Sequence, residues 1–294
     1  MRTTTNKKDD TERGGRIMSP HKIIKKEGLG RLRGHWPAAL GALLIPAAVG
    51  TLLAMAAEFL YVLLGFFDDP APDWLTPAAQ IGIQAAVIAG ALVLLLLTLR
   101  PLMMGARRWF CALAFGNDTG SGTVLYYFRP QEYAACLRYT LQKLGYAAIR
   151  AIPTAVGAIV LWAGLVAFVG DVQTIPTLLR GGLDALSDEQ FIVLADTGVL
   201  AALLGAVGLL IWCLPLFLAD YLFITARRTD AVSASAAMMR PFCATALRLI
   251  ASFWAWGLLS LLVFPLLFVL PYFMSSVAVA QKWMVYQSQA TSNS

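Results

Sequence analysis

Two carboxylates, Glu58 and Asp196, lie at the edges of long apolar runs, and an ionisable group close to hydrocarbon is a functional candidate by default. The chemistry open to them would be ion or proton binding. Their position argues against it. The first apolar run ends at Ala57 and the fourth opens at Gly198, so both acids fall at a boundary where water reaches them, and solvated boundary acids are the favoured reading.

Other reactive groups are sparse. Cys111, Cys136, Cys213 and Cys243 have no CxxC or CxxxC spacing, and only His21 and His35 could join them as nitrogen ligands, which makes a metal site improbable. Inert, reduced thiols are the default for cysteines in or just inside a membrane. Both histidines precede the first apolar run, so no Ser/His/Asp or Cys/His arrangement can form within the apolar segments. HExxH and paired carboxylates within one run are also absent. The stretch GNDTGSGT invites comparison with a phosphate loop, but it lacks the GK[ST] ending and a preceding strand and reads as a flexible turn. No cofactor is implied, and the chain is not expected to be an enzyme.

The elements that must position these residues are helices in a bilayer. Of the 294 residues 59% are apolar and 14% charged, too few charges for a soluble surface. A crossing of a hydrocarbon core about 30 Å thick needs about 20 apolar residues at about 1.5 Å rise each. Five runs qualify: from just after Trp36 to Ala57, with apolar residues continuing to Phe67; about Ala79 to Thr98; about Ala151 to Val169; about Gly198 to Phe217; and one opening at Leu249. The 38 residues from Leu249 to Tyr286 are too many for one crossing, and breaks at Pro265 and Pro271 favour a hairpin and a sixth. The expected fold class is all-α, a polytopic transmembrane helical bundle of 5–6 spans with amphipathic cytoplasmic helices. It divides into a basic cytoplasmic tail (1–35), a helical membrane domain (36–287) and a polar C-terminal tail (288–294).

Charge gives the orientation. Residues 1–35 carry ten Lys/Arg, 100–150 seven, 220–248 four, and Lys282 follows; of 23 basic residues only Arg180 falls in a predicted outer loop. The positive-inside rule then puts the N-terminus in the cytoplasm of a bacterial cell membrane. The tail has no apolar h-region near its start and reads as retained rather than cleaved. Its net charge of +6 suits an anionic leaflet, although enforcing topology while otherwise disordered is the simpler role. The lipid bilayer is the expected partner, with anionic lipid at the tail, a protein partner or self-association as further candidates, and no nucleic acid.

Within the cytoplasmic segments, Tyr133, Leu137, Leu141, Leu144 and Ala148 share one helical face, which predicts an interfacial helix docked on the bundle with Lys143 on its outer side. Leu102, Ala106, Trp109 and Leu113 predict a second such helix, with Arg107 and Arg108 at the headgroups. Trp36, Trp74, Trp109 and Trp283 fit aromatic belts. Arg150, Arg248 and Asp220 read as snorkelling anchors or interhelical partners. Gly82/Ala86/Gly90 and Gly198/Ala202/Ala206 offer small-residue seams. From Arg227 to Trp256 the pattern predicts an amphipathic helix capped by Thr229 or Asp230, with Met239 as its main apolar contact and a break at Pro241.

Ala231, Ser235 and Met239 in AVSASAAMM, then Ser252, Phe253 and Trp256 in SFWAW, then Pro271 and Tyr272 with Ala278 downstream, form a spaced set. With the GLGRLRGHW approach to the first span, this set resembles an uncharacterised integral membrane family common in Firmicutes, a domain of unknown function. The likeness extends over about residues 22–286. Pro241 stands where that family usually has Gly, Leu216 where a Pro-Gly pair is usual, and the aromatic pair after Pro271-Tyr272 is missing. The resemblance implies a multi-span membrane protein and supplies no activity. The favoured functional class is a non-enzymatic membrane scaffold or accessory component, the alternative a small-solute or lipid transporter or channel.

Overall fold

The computed structural model describes residues 19–64, 77–117, 120–169, 187–259 and 263–292. Their order is α1 (Pro20–Leu32), α2 (Trp36–Leu63), α3 (Pro77–Leu94), a π-helical turn (Leu95–Leu99), α4 (Arg100–Ala114), a 3-10 helix (Ser121–Phe128), α5 (Pro130–Val169), α6 (Asp188–Cys213), a 3-10 turn (Leu214–Leu216), α7 (Ala219–Ala226), α8 (Ala231–Met238), α9 (Cys243–Ala251), α10 (Trp254–Leu259) and α11 (Val263–Ser292). No strand occurs among the described residues. Five helical runs are long and apolar enough to cross a membrane: Trp36–Leu63, Gly82–Ala114, Pro130–Val166, Phe191–Ala226 and Pro265–Ala290. A sixth arises if the bent pair Ala231–Met238 and Cys243–Leu259 is one span. Their outer faces are apolar; Phe59 on α2, Ile159 on α5 and Leu203 on α6 are all more than 60% exposed. Such surface is stable against acyl chains and costly in water. The protein is therefore an all-α, multi-pass membrane protein.

The helices are longer than the sequence suggests because the prolines within them do not end them. Pro101 cannot donate to the Leu97 carbonyl, yet the helical path runs through it. A π-turn just upstream absorbs the clash, and the Tyr133 hydroxyl donates to the Leu97 oxygen at 2.9 Å, replacing the missing partner. Likewise α5 passes Pro153 unbroken, so the predicted interfacial helix and third span are one 40-residue helix. At about 1.5 Å per residue it is about 60 Å long, twice the hydrocarbon core. The breaks predicted at Pro265 and Pro271 do not occur: both lie within α11, Pro265 in its first turn, where a missing N–H costs nothing. The predicted outer loops with Trp74 and Arg180 fall at 65–76 and 170–186, outside the described residues.

The chain divides into two compact units, Met1–Leu137 with Ile224–Ala226 and Ala244–Ser294, and Arg138–Phe223 with Arg227–Cys243. In the first, α4 is the buried centre: Leu102, Met104, Ala106, Trp109 and Phe110 are all at most 4% exposed. This corrects its reading as an interfacial helix and removes Trp109 from the aromatic belt. Residues 20–32 of the basic region before α2 form α1, which packs on α11. A Cβ on Gly28 would lie 2.8 Å from Ser276 Oγ, and the Ser275 hydroxyl donates to the Gly28 carbonyl at 2.9 Å. Glycine there lets the backbones touch, as in close membrane helix pairs.

In the second unit α5 and α6 run antiparallel along a small-residue seam. A Cβ on Gly208 would meet Thr154 Cγ2 at 3.0 Å, on Gly205 the Ala158 Cβ at 3.1 Å, and on Gly198 the Trp162 Nε1 at 3.6 Å. Of the predicted stripe only Gly198 takes part; Ala202 and Ala206 are exposed, because the contact follows a 3.5-residue rather than a four-residue repeat. In the first unit Gly82, Ala86 and Gly90 are exposed as well. The buried face of α5 is also not the predicted one: Cys136, Tyr139 and Thr140 are buried, while Leu141 and Leu144 are 63% and 47% exposed. In lipid the apolar face is free to point outward, and polar groups gain most from burial.

Candidate cationic cleft and buried ion pair

A cleft of about 690 Å³ forms in the first unit, where the end of α4 meets the 3-10 helix. Gly105 permits the approach: a Cβ there would collide with the Val124 carbonyl oxygen, so the 3-10 helix rests directly on the α4 backbone. Arg108, three residues on, shares that face and meets Tyr126, its guanidinium carbon 3.8 Å from the ring centroid. Arg129 lies 5.1 Å from the same centroid. Its extended backbone is what Pro130 imposes on the residue before it, and its carbonyl accepts from the amides of Glu132 and Tyr133 at 3.0 and 2.8 Å as α5 begins. The Tyr126 hydroxyl donates to Glu132 Oε1 at 2.8 Å. Burial pushes the neighbouring Tyr127 phenol well above its ordinary range, against the opposing pull of Arg108.

Another part of the lining follows from how α4 ends. Gly116 takes φ +82°, the Gly116 amide donates to Leu113 O at 2.9 Å, and the Asn117 amide donates to Ala112 O at 3.1 Å. These two bonds make a Schellman motif, which needs a residue comfortable at positive φ. Lys282 completes the end by donating to Ala114 O at 3.0 Å. The chain therefore turns so that Asn117, Gly122 and Thr123 line the cleft together with the arginines. GNDTGSGT supplies this part of the lining; its Asp118 and Thr119 lie outside the described residues.

The second unit holds a buried ion pair. Asp220, 3% exposed, accepts at Oδ1 from the Lys143 ammonium at 2.8 Å and the Tyr139 hydroxyl at 2.7 Å. The Tyr139 ring stacks on Phe223 with centroids 4.3 Å apart. Asp220 is thus an interhelical partner between α7 and α5. Lys143, expected on the outer face, supplies the counter-charge because a carboxylate at this depth requires one.

No family model, curated protein or solved structure matches this chain. The roles of its residues rest on their geometry.

Glu58 and Asp196 are exposed, and neither has an ion pair or hydrogen bond among the described residues. Glu58 lies inside α2, which continues to Leu63, and not beyond its end. Of the spaced set, Ser235, Ser252 and Phe253 take part in braces between helices. In the first unit Lys25 of α1 donates to Ser252 O at 3.1 Å with its ammonium 4.2 Å from the Phe253 ring centroid and 6.0 Å from that of Tyr272. Burial holds this ammonium below its ordinary pKa. Pro271 is buried beside Tyr272, whereas Trp256 faces outward at 45% exposure. In the second unit the buried Ser235 hydroxyl donates to Pro215 O at 2.6 Å and accepts from the Leu218 amide at 3.1 Å, closing the break in the fourth span. Met239 is fully buried. The predicted cap of its helix is absent: Asp230 occupies the N-cap position but its side chain makes no cap bond. Its carboxylate instead takes two bonds from the Arg228 fork at 2.9 and 2.6 Å, which hold it below the usual carboxylate range.

Sequence reasoning missed the cleft. Its basic residues read as topology signals, and the signal available was Arg-Arg-Trp on α4 with Tyr-Tyr-Phe-Arg just before Pro130.

Proposed function

We propose that this chain is a non-enzymatic scaffold or accessory component of a bacterial cytoplasmic membrane, with its N-terminus in the cytoplasm. The observation that carries the reading is how polar side chains between helices are used. The Ser235 and Ser275 hydroxyls and the Lys25 ammonium each end on a main-chain carbonyl within their own unit. They stitch helices together, and their hydrogen-bonding capacity goes to rigidity. Placing 22 of 23 basic residues on one side supports the orientation, and the resemblance to an integral membrane family fits the class. Reporter fusions near Arg33 and Asn117 test the sidedness; both are expected to be active only as cytoplasmic fusions, and activity on the outer side at either position would reverse it.

A transporter is the second reading, and one observation favours it: Lys143 and Asp220 form an ion pair within helices that qualify as spans. Proteoliposome flux separates the two. The scaffold reading expects no solute or proton flux above protein-free vesicles, and flux abolished by Asp220→Asn in a folded variant would replace it with the transporter.

A further inference from the structure

We propose that the cleft between the end of α4 and the 3-10 helix is a binding site for a phosphate-class anion, either the phosphodiester of an anionic lipid headgroup or a free phosphate compound. The proposal holds for either functional reading above. Two guanidiniums converge on one ring, Arg108 at 3.8 Å and Arg129 at 5.1 Å from the Tyr126 centroid. Stacking restrains their flexible side chains, so less freedom is lost when they close on a ligand. Guanidinium forks match the oxygen spacing of phosphate, and a half-shielded cleft strengthens such charge-assisted bonds. Asn117 and Thr123, in the same lining, supply neutral donors.

Charge favours an anion: Arg108 and Arg129 are the charged residues among those that line the cleft, and a phosphodiester or phosphate balances them. The cleft falls within the range of about 300–1,000 Å³ typical of small-ligand sites. Two apolar side chains in its lining, Phe115 and Leu125, are 39% and 55% exposed, which suits a ligand joining an anionic group to hydrocarbon.

The test uses the full-length protein purified in a neutral detergent. One arm titrates inorganic phosphate by calorimetry; the other measures retention of phosphatidylglycerol against phosphatidylcholine in mixed micelles by native mass spectrometry. Saturable binding in either arm is expected, and the arm that responds identifies the source of the phosphate. Arg129→Gln, at an exposed position, and Arg108→Gln should each weaken that binding about tenfold, the equivalent of about 1.4 kcal/mol. Lys26→Gln removes an exposed charge from α1 in the same unit and should leave it unchanged. If Arg108→Gln does not fold, Arg129→Gln decides alone. No saturable binding in either arm, or equal weakening by Lys26→Gln and Arg129→Gln, overturns the site.

Discussion

Replacing Ser235 with alanine removes one oxygen atom and orphans two backbone groups. Pro215 cannot continue the fourth span's hydrogen-bond ladder, and the chain passes through a 3-10 turn before restarting at α7. Across that break the Ser235 hydroxyl gives to Pro215 O at 2.6 Å and takes from Leu218 N at 3.1 Å. Ser235 and Leu218 are 0% exposed and Leu216 is 5% exposed, so solvent has no easy route to either group. An unsatisfied buried polar group costs about 1–3 kcal/mol, and with two of them the expected loss is about 2–4 kcal/mol after partial relaxation. Alanine fits the same space, so no steric penalty enters. Thermal melts in detergent should fall by about 5–10 °C, scaling from about 2–4 °C per kcal/mol for a domain of 150–250 residues. Ser233→Ala is the reference: its hydroxyl is exposed and bonds Asp230 O at 3.0 Å, so its loss should cost under about 0.5 kcal/mol. A double-mutant cycle sharpens the test. In a Pro215→Ala background the restored amide lets the helix satisfy itself, and the penalty of Ser235→Ala should shrink. Equal melts for Ser235→Ala and Ser233→Ala, or a full penalty in the Pro215→Ala background, would refute the brace.

Within α1, Gly28→Ala should destabilise by about 1–3 kcal/mol because its Cβ would press on the Ser276 backbone, whereas Gly30→Ala, facing open space, should stabilise by up to about 1 kcal/mol; chemical unfolding of the two variants reads opposite signs if α1 is docked as described. Met239→Asp should cost more than about 3 kcal/mol by putting an unpaired carboxylate in a fully buried site, and Ser233→Asp on the exposed face of the same helix much less. Equal, negligible melt shifts would mean that this helix stands free. Glu58→Gln and Asp196→Asn should each move the melting point by no more than about 1–2 °C, as expected of exposed side chains, and a large loss of folded yield from either would reveal a buried ion site.

The sequence by itself determined the class of solvent, because runs of about 20 apolar residues leave a chain nowhere stable except lipid, and this held for every predicted run up to the fourth. It also placed Met239 in a buried position, readable from period, and left Asp220 open between a snorkelling anchor and a partner between helices, which the tertiary structure decided for the second. It misjudged where helices stop. Proline removes a donor, and sequence cannot say whether Tyr133 or Ser235, distant in the chain, will supply the missing bond. It also inverted the inner and outer faces of α5: burying Leu141 is worth nothing against acyl chains, while Lys143 and Tyr139 gain a carboxylate by turning inward. The cationic cleft is a product of tertiary structure alone, since it needs the 3-10 helix to settle on Gly105 before Arg108 and Arg129 can share one ring.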